Sequence, residues 1–323
     1  MLKSIAGKYR NIIAMVPIVK INFEKLYTIW KDVMNKVAKI GFDAAVTMTD
    51  GHSSNMSFFN KRILNKKMDL SVSNEALPGS QNFPFYDSTH LFKNVYNNWS
   101  NYNTFKCPLM DPNESKQDIS PSFSVLKELY ELEKGKPQKM AFKLNEQMLH
   151  PKPIEKTNVK LADAAFHEST INALNYYASH GYGHFGDTAI FAKYIRDWFN
   201  TVNVKCTDYG TRKLDDRRNP IRRDMMSGDL SYLTRFVDWL ERWKDGIGMI
   251  GLSRQTFECS IRSCKAIIAL VPYLFERYPQ LQYILLGNIC SDFLEGRFGW
   301  YRRLCGGNYY NAISQFQKTW SMT

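Results

Sequence analysis

The sequence predicts an α/β region followed by a mainly helical region, and three observations support this fold class. A β-rich apolar run covers residues 12–19, a helical repeat follows over 23–40, and a second short apolar run covers 44–48. Strand, helix and strand in about 40 residues form an α/β pattern. Beyond residue 86 the strand signals nearly vanish and helical periodicity dominates.

The first helix is the best-marked element of the α/β region. Apolar residues recur at helical spacing over 23–40, Asn22 is a candidate N-cap, and Gly41 can end the helix. The strand after it stops at a Thr-Asp-Gly turn, which places Asp50 at the carboxyl end of a buried strand. In α/β proteins such strand ends face the ligand crevice.

The rest of the α/β region is less regular. Ser53 is a candidate cap for a short helix, and the polar, turn-rich residues 66–86 predict a domain junction. The basic stretch 211–223 predicts an exposed loop. Either the chain has two domains or a helical block interrupts one domain, and periodicity does not choose between them. Further helices are predicted at 120–135, 159–180, 187–202, 229–245, 253–270 and 279–304.

Composition narrows the class of protein. The chain has 323 residues, 44% of them hydrophobic and 23% charged, which is typical of a globular protein. Its net charge of +12 predicts a polyanionic partner, nucleic acid or nucleotide, although a solvated basic surface is the alternative. The six cysteines include no CxxC pair, and a reducing compartment fits the cysteine usage best. No apolar run is long enough to predict a membrane span.

Two distant acids are candidates for metal-dependent chemistry. Glu295 lies in a helical stretch and shares a helix face with Asp292, while Asp50 ends the second strand. Two-metal phosphoryl transfer requires carboxylates that converge from distant positions. The alternatives are a turn aspartate at 50 and a solvated acidic helix face at 292–295.

Four segments, in the same order, resemble the P-element-type DNA transposase family, including its domesticated relatives that carry a THAP domain. The resemblance implies a ribonuclease-H-like fold interrupted by a helical GTP-binding insertion. The core would then comprise residues 1–85 and a returning catalytic helix in 281–323, with the insertion at 86–280. The four segments are 46–55, 87–99, 198–203 and 292–309.

The resemblance also implies roles for the acids. Asp50 matches the second acid of the family's catalytic triad and Glu295 the third, and both are expected to bind Mg²⁺ together with Asp292. The first acid is expected on an earlier strand and is not found before Asp50. Because a hard-cation site that lacks one carboxylate binds magnesium poorly, we expect the chain by itself to be inactive or nearly so.

The nucleotide-binding residues are implied in the same way, with GTP as the cofactor. Phe199 resembles the aromatic residue that stacks on guanine. Asn200 stands where the family pattern has aspartate, and an amide offers one acceptor and two donors, so guanine selectivity is expected to be weakened. The other implied contacts are Asn203 beside the base, Lys93 at the phosphates, Asp87 in purine choice and Asp292 at the nucleotide's magnesium.

The predicted function is a fragment or degenerate copy of a GTP-dependent cut-and-paste transposase. Complete relatives are expected to bind DNA, to act as homo-oligomers, to require GTP and Mg²⁺, and to work in the nucleus. The main alternative is a domesticated, non-enzymatic DNA- or nucleotide-binding protein, or a dominant-negative partner of a full-length transposase. A helical nucleotide-binding or scaffolding protein unrelated to transposition is the third possibility.

Overall fold

The computed structural model describes residues 1–16, 20–64, 69–114, 116, 118–224 and 226–304. The protein is mixed α/β and rich in helix. The helices of this part are α1 Phe23–Lys39, α2 Ser53–Phe58, α3 Ser88–Tyr102, α4 Phe123–Glu133, α5 Glu146–Leu149, α6 Val159–Ala165, α7 Glu168–Ala178, α8 Phe185–Val202, α9 Tyr209–Lys213, α10 Met226–Asp245, α11 Arg254–Arg277 and α12 Asp292–Leu304. The strands are β1 Leu2–Lys3, β2 Arg10–Asn11, β3 Val46–Thr49, β4 Val72–Ser73, β5 Gln81–Tyr86, β6 Cys107–Pro108, β7 Asp118–Ile119, β8 Ile221–Arg222 and β9 Tyr283–Ile284.

Helix α1 confirms the strongest local prediction. Asn22 caps it, since its side chain accepts a backbone N–H of the first turn, and Gly41 follows the helix with a positive φ of 89°. Trp30 Nε1 donates to Thr47 Oγ1 at 2.9 Å, and Thr47 Oγ1 donates to Asn82 Oδ1 at 2.8 Å. This chain of hydrogen bonds fastens the helix to two neighbouring strands.

The main sheet has the order β3-β5-β4, with β3 parallel and β4 antiparallel to β5. The domain junction predicted at 66–86 is therefore wrong for residues 81–86, because they form β5, the central strand of this sheet. Its Phe83, Phe85 and Tyr86 are buried. The sequence of β5 misled the prediction because Pro84 and its polar first residues are typical of turns.

The strand predicted at 12–19 is not present in residues 12–16, which form no strand or helix. Ile13 and Val16 are exposed, so these two residues of the apolar run are not part of a core. Residues 17–19 lie outside the described residues. The N-terminal strands instead form the hairpin β1-β2, in which Leu2 faces Asn11.

The helical region shares a core with the sheet. Ser263 of α11 accepts the backbone N–H of Tyr86 at 2.9 Å, and the Tyr273 hydroxyl accepts that of Gln81 at 2.9 Å. The end of α11 is bound to the entry of β3 through Asp43, which accepts hydrogen bonds from Arg277, Tyr278 and Ser80. The sheet and α11 are thus joined by buried polar contacts.

The Asp43 cluster also sets the ionisation of its carboxyl. Burial by itself would raise the pKa of Asp43, but the hydrogen bonds from Ser80, Tyr278 and Arg277 outweigh it and hold the pKa below its ordinary value. Asp43 therefore serves as an ionised clamp between the sheet and α11.

Several predicted helices have different bounds. The helix predicted at 159–180 is two helices, because Phe166 is the C-cap of the first and His167 caps the second by accepting the Ser169 N–H. The helix predicted at 279–304 is a helix only from Asp292. The stretch 211–223 is not a simple exposed loop, since it contains part of α9, a 3-10 turn and β8, and its Arg218 is buried.

Candidate functional site

The candidate site has two cavities, and the first lies at the carboxyl end of β3. This cavity, called cavity A, has a volume of about 1160 Å³. Asp50, His90, Lys93, Ser291 and Glu295 are among the residues that line it. The two predicted catalytic acids, which are 245 positions apart in the sequence, therefore border one space.

Asp50 is exposed, and its carboxylate organises the turn into α2. Its Oδ1 accepts the backbone N–H of His52 at 3.0 Å and Nδ2 of Asn55 at 2.6 Å. Asp50 is therefore a turn aspartate that also lines cavity A. Its other carboxylate oxygen can accept a ligand.

Glu295 projects from the first turn of α12 and is held by the start of α3. His90 Nε2 lies 2.8 Å from Glu295 Oε1, and the Ser291 hydroxyl donates to the same oxygen at 2.9 Å. The hydrogen bond from His90, with help from Ser291 and the charge of Lys93, lowers the pKa of the Glu295 carboxyl to about 2. Glu295 is thus ionised over the physiological pH range.

Asp87 lies beneath Glu295 and is fully buried. It caps α3 by accepting the Thr89 N–H at 3.1 Å, and it accepts a hydrogen bond from Ser291. Burial raises the pKa of the Asp87 carboxyl, although the bond from Ser291 opposes this. Within the described part of the chain, Asp87, His90 and Glu295 form a group able to hold a metal ion, with ligand atoms within 4.8 Å of one another.

The second cavity, called cavity B, lies beside the C-terminal half of α8 and has a volume of about 670 Å³. Phe199, Asn200 and Asn203, which the resemblance assigned to the nucleotide base, all line it. Phe199 is 7% exposed, and one face of its ring stacks on Phe92 with centroids 3.9 Å apart. The charged side chains that line this cavity are Asp163, Glu168, Lys193, Arg196, Asp197, Lys213, Asp215, Arg217 and Arg218.

A network of charged groups braces cavity B. Arg218 is buried, and its Nε donates to Asp215 Oδ2 at 3.0 Å while it also pairs with Glu168. Asn200 Nδ2 donates to the same Asp215 oxygen at 3.0 Å. Burial opposes the charge of Arg218, but its pairs with Glu168 and Asp215 outweigh this and raise its pKa. These contacts hold the charged wall of cavity B in place.

The remaining predicted residues lie closer to cavity A. Lys93 lines cavity A, and Asp87 lies below it, while Asp292 pairs with Lys205. The two cavities are linked where Gly287 N donates to Val204 O at 2.8 Å, which fastens the segment before α12 to the end of α8. The structure thus divides the implied nucleotide contacts between two neighbouring cavities.

Two comparisons with known proteins bear on these residues. Residues 89–211 match the family model described as TNP-like, GTP-binding insertion domain, and this range includes Phe199, Asn200 and Asn203. The fold is similar to that of the Drosophila P element transposase strand transfer complex, with a TM-score of 0.73 and 20% sequence identity over 93% of this chain. The chain is therefore similar in fold to a P element transposase, and its residues 89–211 resemble a GTP-binding insertion domain.

The match covers 63% of the solved transposase chain, so this chain spans less than two thirds of that protein. No curated protein matches the sequence significantly. The fold likeness confirms a mixed α/β, helix-rich architecture like that of the solved transposase. In the part of the chain that the structure describes, the helices are too short or too polar to cross a membrane.

Sequence reasoning missed residues whose role depends on distant contacts. His90, for example, bonds Glu295 across 205 positions. Asp215 and Arg218 were assigned to an exposed loop, yet they line cavity B. The signal for Arg218 was present, since a basic stretch that also holds acids can form internal ion pairs, but its partner Glu168 is 50 positions away.

Proposed function

We propose that the chain is the nucleotide-binding and acid-bearing part of a GTP-dependent DNA transposase. In this proposal a ribonuclease-H-like core is interrupted by the insertion at 86–280, and cavity B holds the guanine nucleotide. The observation that carries the proposal is that Phe199, Asn200 and Asn203 line one cavity inside the region that matches the GTP-binding insertion model.

The chemistry of cavity B suits a nucleotide. Its volume of about 670 Å³ is within the range of small-molecule sites, roughly 300–1,000 Å³. Phe199 offers aromatic surface to a base, while Lys193, Lys213 and Arg217 supply positive charge for phosphate groups. Asn200 and Asn203 add the polar contacts that fix the orientation of a ligand.

Cavity A supplies the acids for phosphodiester chemistry in this proposal. Asp50, Asp292 and Glu295 offer carboxylate oxygens, the ligands that Mg²⁺ prefers, and the low pKa of Glu295 keeps its carboxylate charged. Bound magnesium would stabilise the charge of the attacking and leaving oxygens. Asp292 lies on the same helix as Glu295, and its carboxylate pairs with Lys205.

The 323 residues supply two of the three catalytic acids that the resemblance implies, Asp50 and Glu295. We therefore expect the chain by itself to bind nucleotide and DNA without cleaving or joining strands. The non-enzymatic alternative, a DNA- or nucleotide-binding protein or a dominant-negative subunit, is favoured by one contact. The Glu295 carboxylate is already engaged by His90 and Ser291.

The proposed partner is DNA, bound by a homo-oligomer in the nucleus. The net charge of +12 supports DNA binding, because cations that neutralise phosphates release counterions. A fluorescent 30-base-pair duplex titrated at rising salt tests this, since affinity is expected to fall steeply with salt concentration. Salt-independent binding, or no binding at low salt, would contradict the DNA assignment.

The nucleotide assignment is tested by calorimetric titration of the folded chain with GTP and Mg²⁺, with ATP as competitor. Phe199→Leu is expected to weaken GTP binding, because Leu keeps much of the packing volume and removes the aromatic surface. Phe185→Leu is the matched control, since Phe185 is also a buried phenylalanine of α8 but does not line cavity B. Equal loss in both variants would indicate a packing defect and count against the assignment.

A further inference from the structure

Asn200 lies in cavity B with its amide nitrogen already in use. Its Nδ2 donates to Asp215 Oδ2 at 3.0 Å, so the NH₂ group faces Asp215. This bond uses one N–H of the amide, so the second N–H and the carbonyl oxygen Oδ1 are left for a ligand, and the carbonyl only accepts. The asparagine at this position therefore presents an acceptor to the cavity.

Asp215 brings a carboxylate to the same place. It lines cavity B, and its side chain is 22% exposed. Oδ2 accepts from Asn200 and Arg218, whereas Oδ1 accepts the backbone N–H of Arg217 at 3.2 Å. A carboxylate oxygen has about two lone-pair sites, so Oδ1 keeps acceptor capacity. Two acceptors, one amide and one carboxylate, thus stand side by side.

We infer that Asp215 and Asn200 read the guanine edge together, with Asp215 supplying the carboxylate that position 200 lacks. Guanine presents N1–H and the 2-amino group as adjacent donors, while adenine presents an N1 lone pair and a C2–H. Paired acceptors satisfy guanine and leave adenine facing a carboxylate without a donor, which is costly in a desolvated site. This specificity role rests on the proposed nucleotide-binding function.

The local fold explains how Asp215 reaches Asn200. Leu214, the C-cap of α9, takes a left-handed φ of 51° and is 94% exposed. The chain therefore turns sharply just before Asp215. Arg218 then holds the turn, since it bonds Asp215 and its NH1 donates to the Tyr209 hydroxyl at 3.0 Å. Residues 214–218 therefore form a turn that holds Asp215 at cavity B.

The first test compares GTP, inosine triphosphate and xanthosine triphosphate on the wild-type chain and on Asp215→Asn. Wild type is expected to prefer GTP over inosine triphosphate by roughly tenfold, because inosine lacks the 2-amino donor. In Asp215→Asn, GTP affinity is expected to fall by roughly ten- to a hundredfold, the loss of one charge-assisted bond. Affinity for xanthosine triphosphate is expected to rise, since an amide donor then meets its 2-carbonyl group.

Asp216→Asn is the matched control, because it removes the same charge from the neighbouring residue, which is exposed and does not line cavity B. It is expected to leave the GTP to inosine triphosphate ratio unchanged. The gain of xanthosine triphosphate binding separates a reading role from a packing role, since a loosened cavity has no reason to prefer the 2-carbonyl group.

The second test uses Asn200→Asp and the swap Asn200→Asp with Asp215→Asn. Alone, Asn200→Asp sets two carboxylates against each other and is expected to weaken GTP binding, whereas the swap restores one acid and one amide and is expected to recover most of it. Stronger GTP binding in Asn200→Asp alone would overturn the inference, since position 200 would then read guanine without Asp215.

The outcomes separate the inference from the function beneath it. If wild type binds GTP, Phe199→Leu weakens it, and Asp215→Asn keeps the wild-type preference for GTP over inosine triphosphate, Asp215 does not read the base and only the inference is overturned. If the folded wild-type chain binds no purine nucleotide, the proposed function and the inference fail together. Loss of GTP with gain of xanthosine triphosphate supports both.

Discussion

Cavities A and B differ in how the chain builds them. Cavity B takes its lining from residues 163–218, a local stretch around α7, α8 and α9. Cavity A collects Asp50, His90 and Glu295 from the carboxyl end of β3, the start of α3 and the last described helix. Because closing long loops costs entropy that local contacts avoid, cavity B can form with the helical region, whereas cavity A requires the whole fold.

The two cavities also differ in how their charges are satisfied. In cavity B, Arg218 is buried and pairs with Glu168 and Asp215, so the wall is fixed before any ligand binds. In cavity A, Glu295 is half-exposed and held by His90 and Ser291, contacts that a ligand or metal can replace at low cost. Cavity B is preorganised, and cavity A is adjustable.

The largest effect is expected from Arg218→Met. Removing a buried cation leaves Asp215 and Glu168 without their partner, and the free energy of unfolding is expected to fall by about 3 kcal/mol. GTP binding should be lost with it. Urea denaturation and calorimetry measure both quantities, and Arg212→Met, which removes an exposed pair with Asp208, should change stability by less than about 1 kcal/mol. Equal stability of the two variants would contradict the proposed bracing of cavity B.

A smaller effect is expected from Asp43→Asn, which weakens the clamp between the sheet and α11. The loss should be about 2 kcal/mol at neutral pH, the value of charged hydrogen bonds. The folded pKa of Asp43 is depressed, so its contribution is complete above the unfolded pKa of about 3.9 and is lost as the pH falls through the folded value.

The pH dependence gives this prediction a second measurement. In urea denaturation, the stability difference between wild type and Asp43→Asn should be constant from about pH 8 to pH 5 and shrink only below about pH 4. A difference that shrinks already between pH 8 and pH 6 would show that Asp43 is not an ionised clamp.

The smallest effect on stability is expected from His90→Gln. Because Glu295 is half-exposed, the free energy of unfolding should change by less than about 1 kcal/mol. The pKa of Glu295 should rise from about 2 toward its ordinary value, since its hydrogen bond from His90 is the main cause of the shift. Carbon NMR of labelled glutamate measures this, and an unchanged pKa would refute the role of His90.

The sequence predicted elements whose signals are local. Helix α1 was predicted correctly because its cap Asn22, its apolar repeat and Gly41 all lie within one segment. Strand β5 was missed because it is stabilised by its neighbours β3 and β4 and not by its own residue preferences. A strand of this composition becomes recognisable only when its partners are known.

The same distinction applies to the candidate site. The shared location of Asp50 and Glu295 and the grouping of Phe199 with Asn203 followed from family motifs, and the structure places each pair around one cavity. The contacts that tune these residues were not predictable. The pairs His90–Glu295 and Asn200–Asp215 depend on how helices and turns pack, which no spacing in the sequence records.

The central claim, that a guanine nucleotide occupies cavity B, is tested most directly by hydrogen–deuterium exchange with and without saturating GTP and Mg²⁺. The account predicts slower exchange of backbone amides in residues 196–218, which include the end of α8 and the turn that carries Asp215. Unchanged exchange in this segment at saturating GTP, with protection confined to cavity A around residues 88–93 and 290–295, would contradict it.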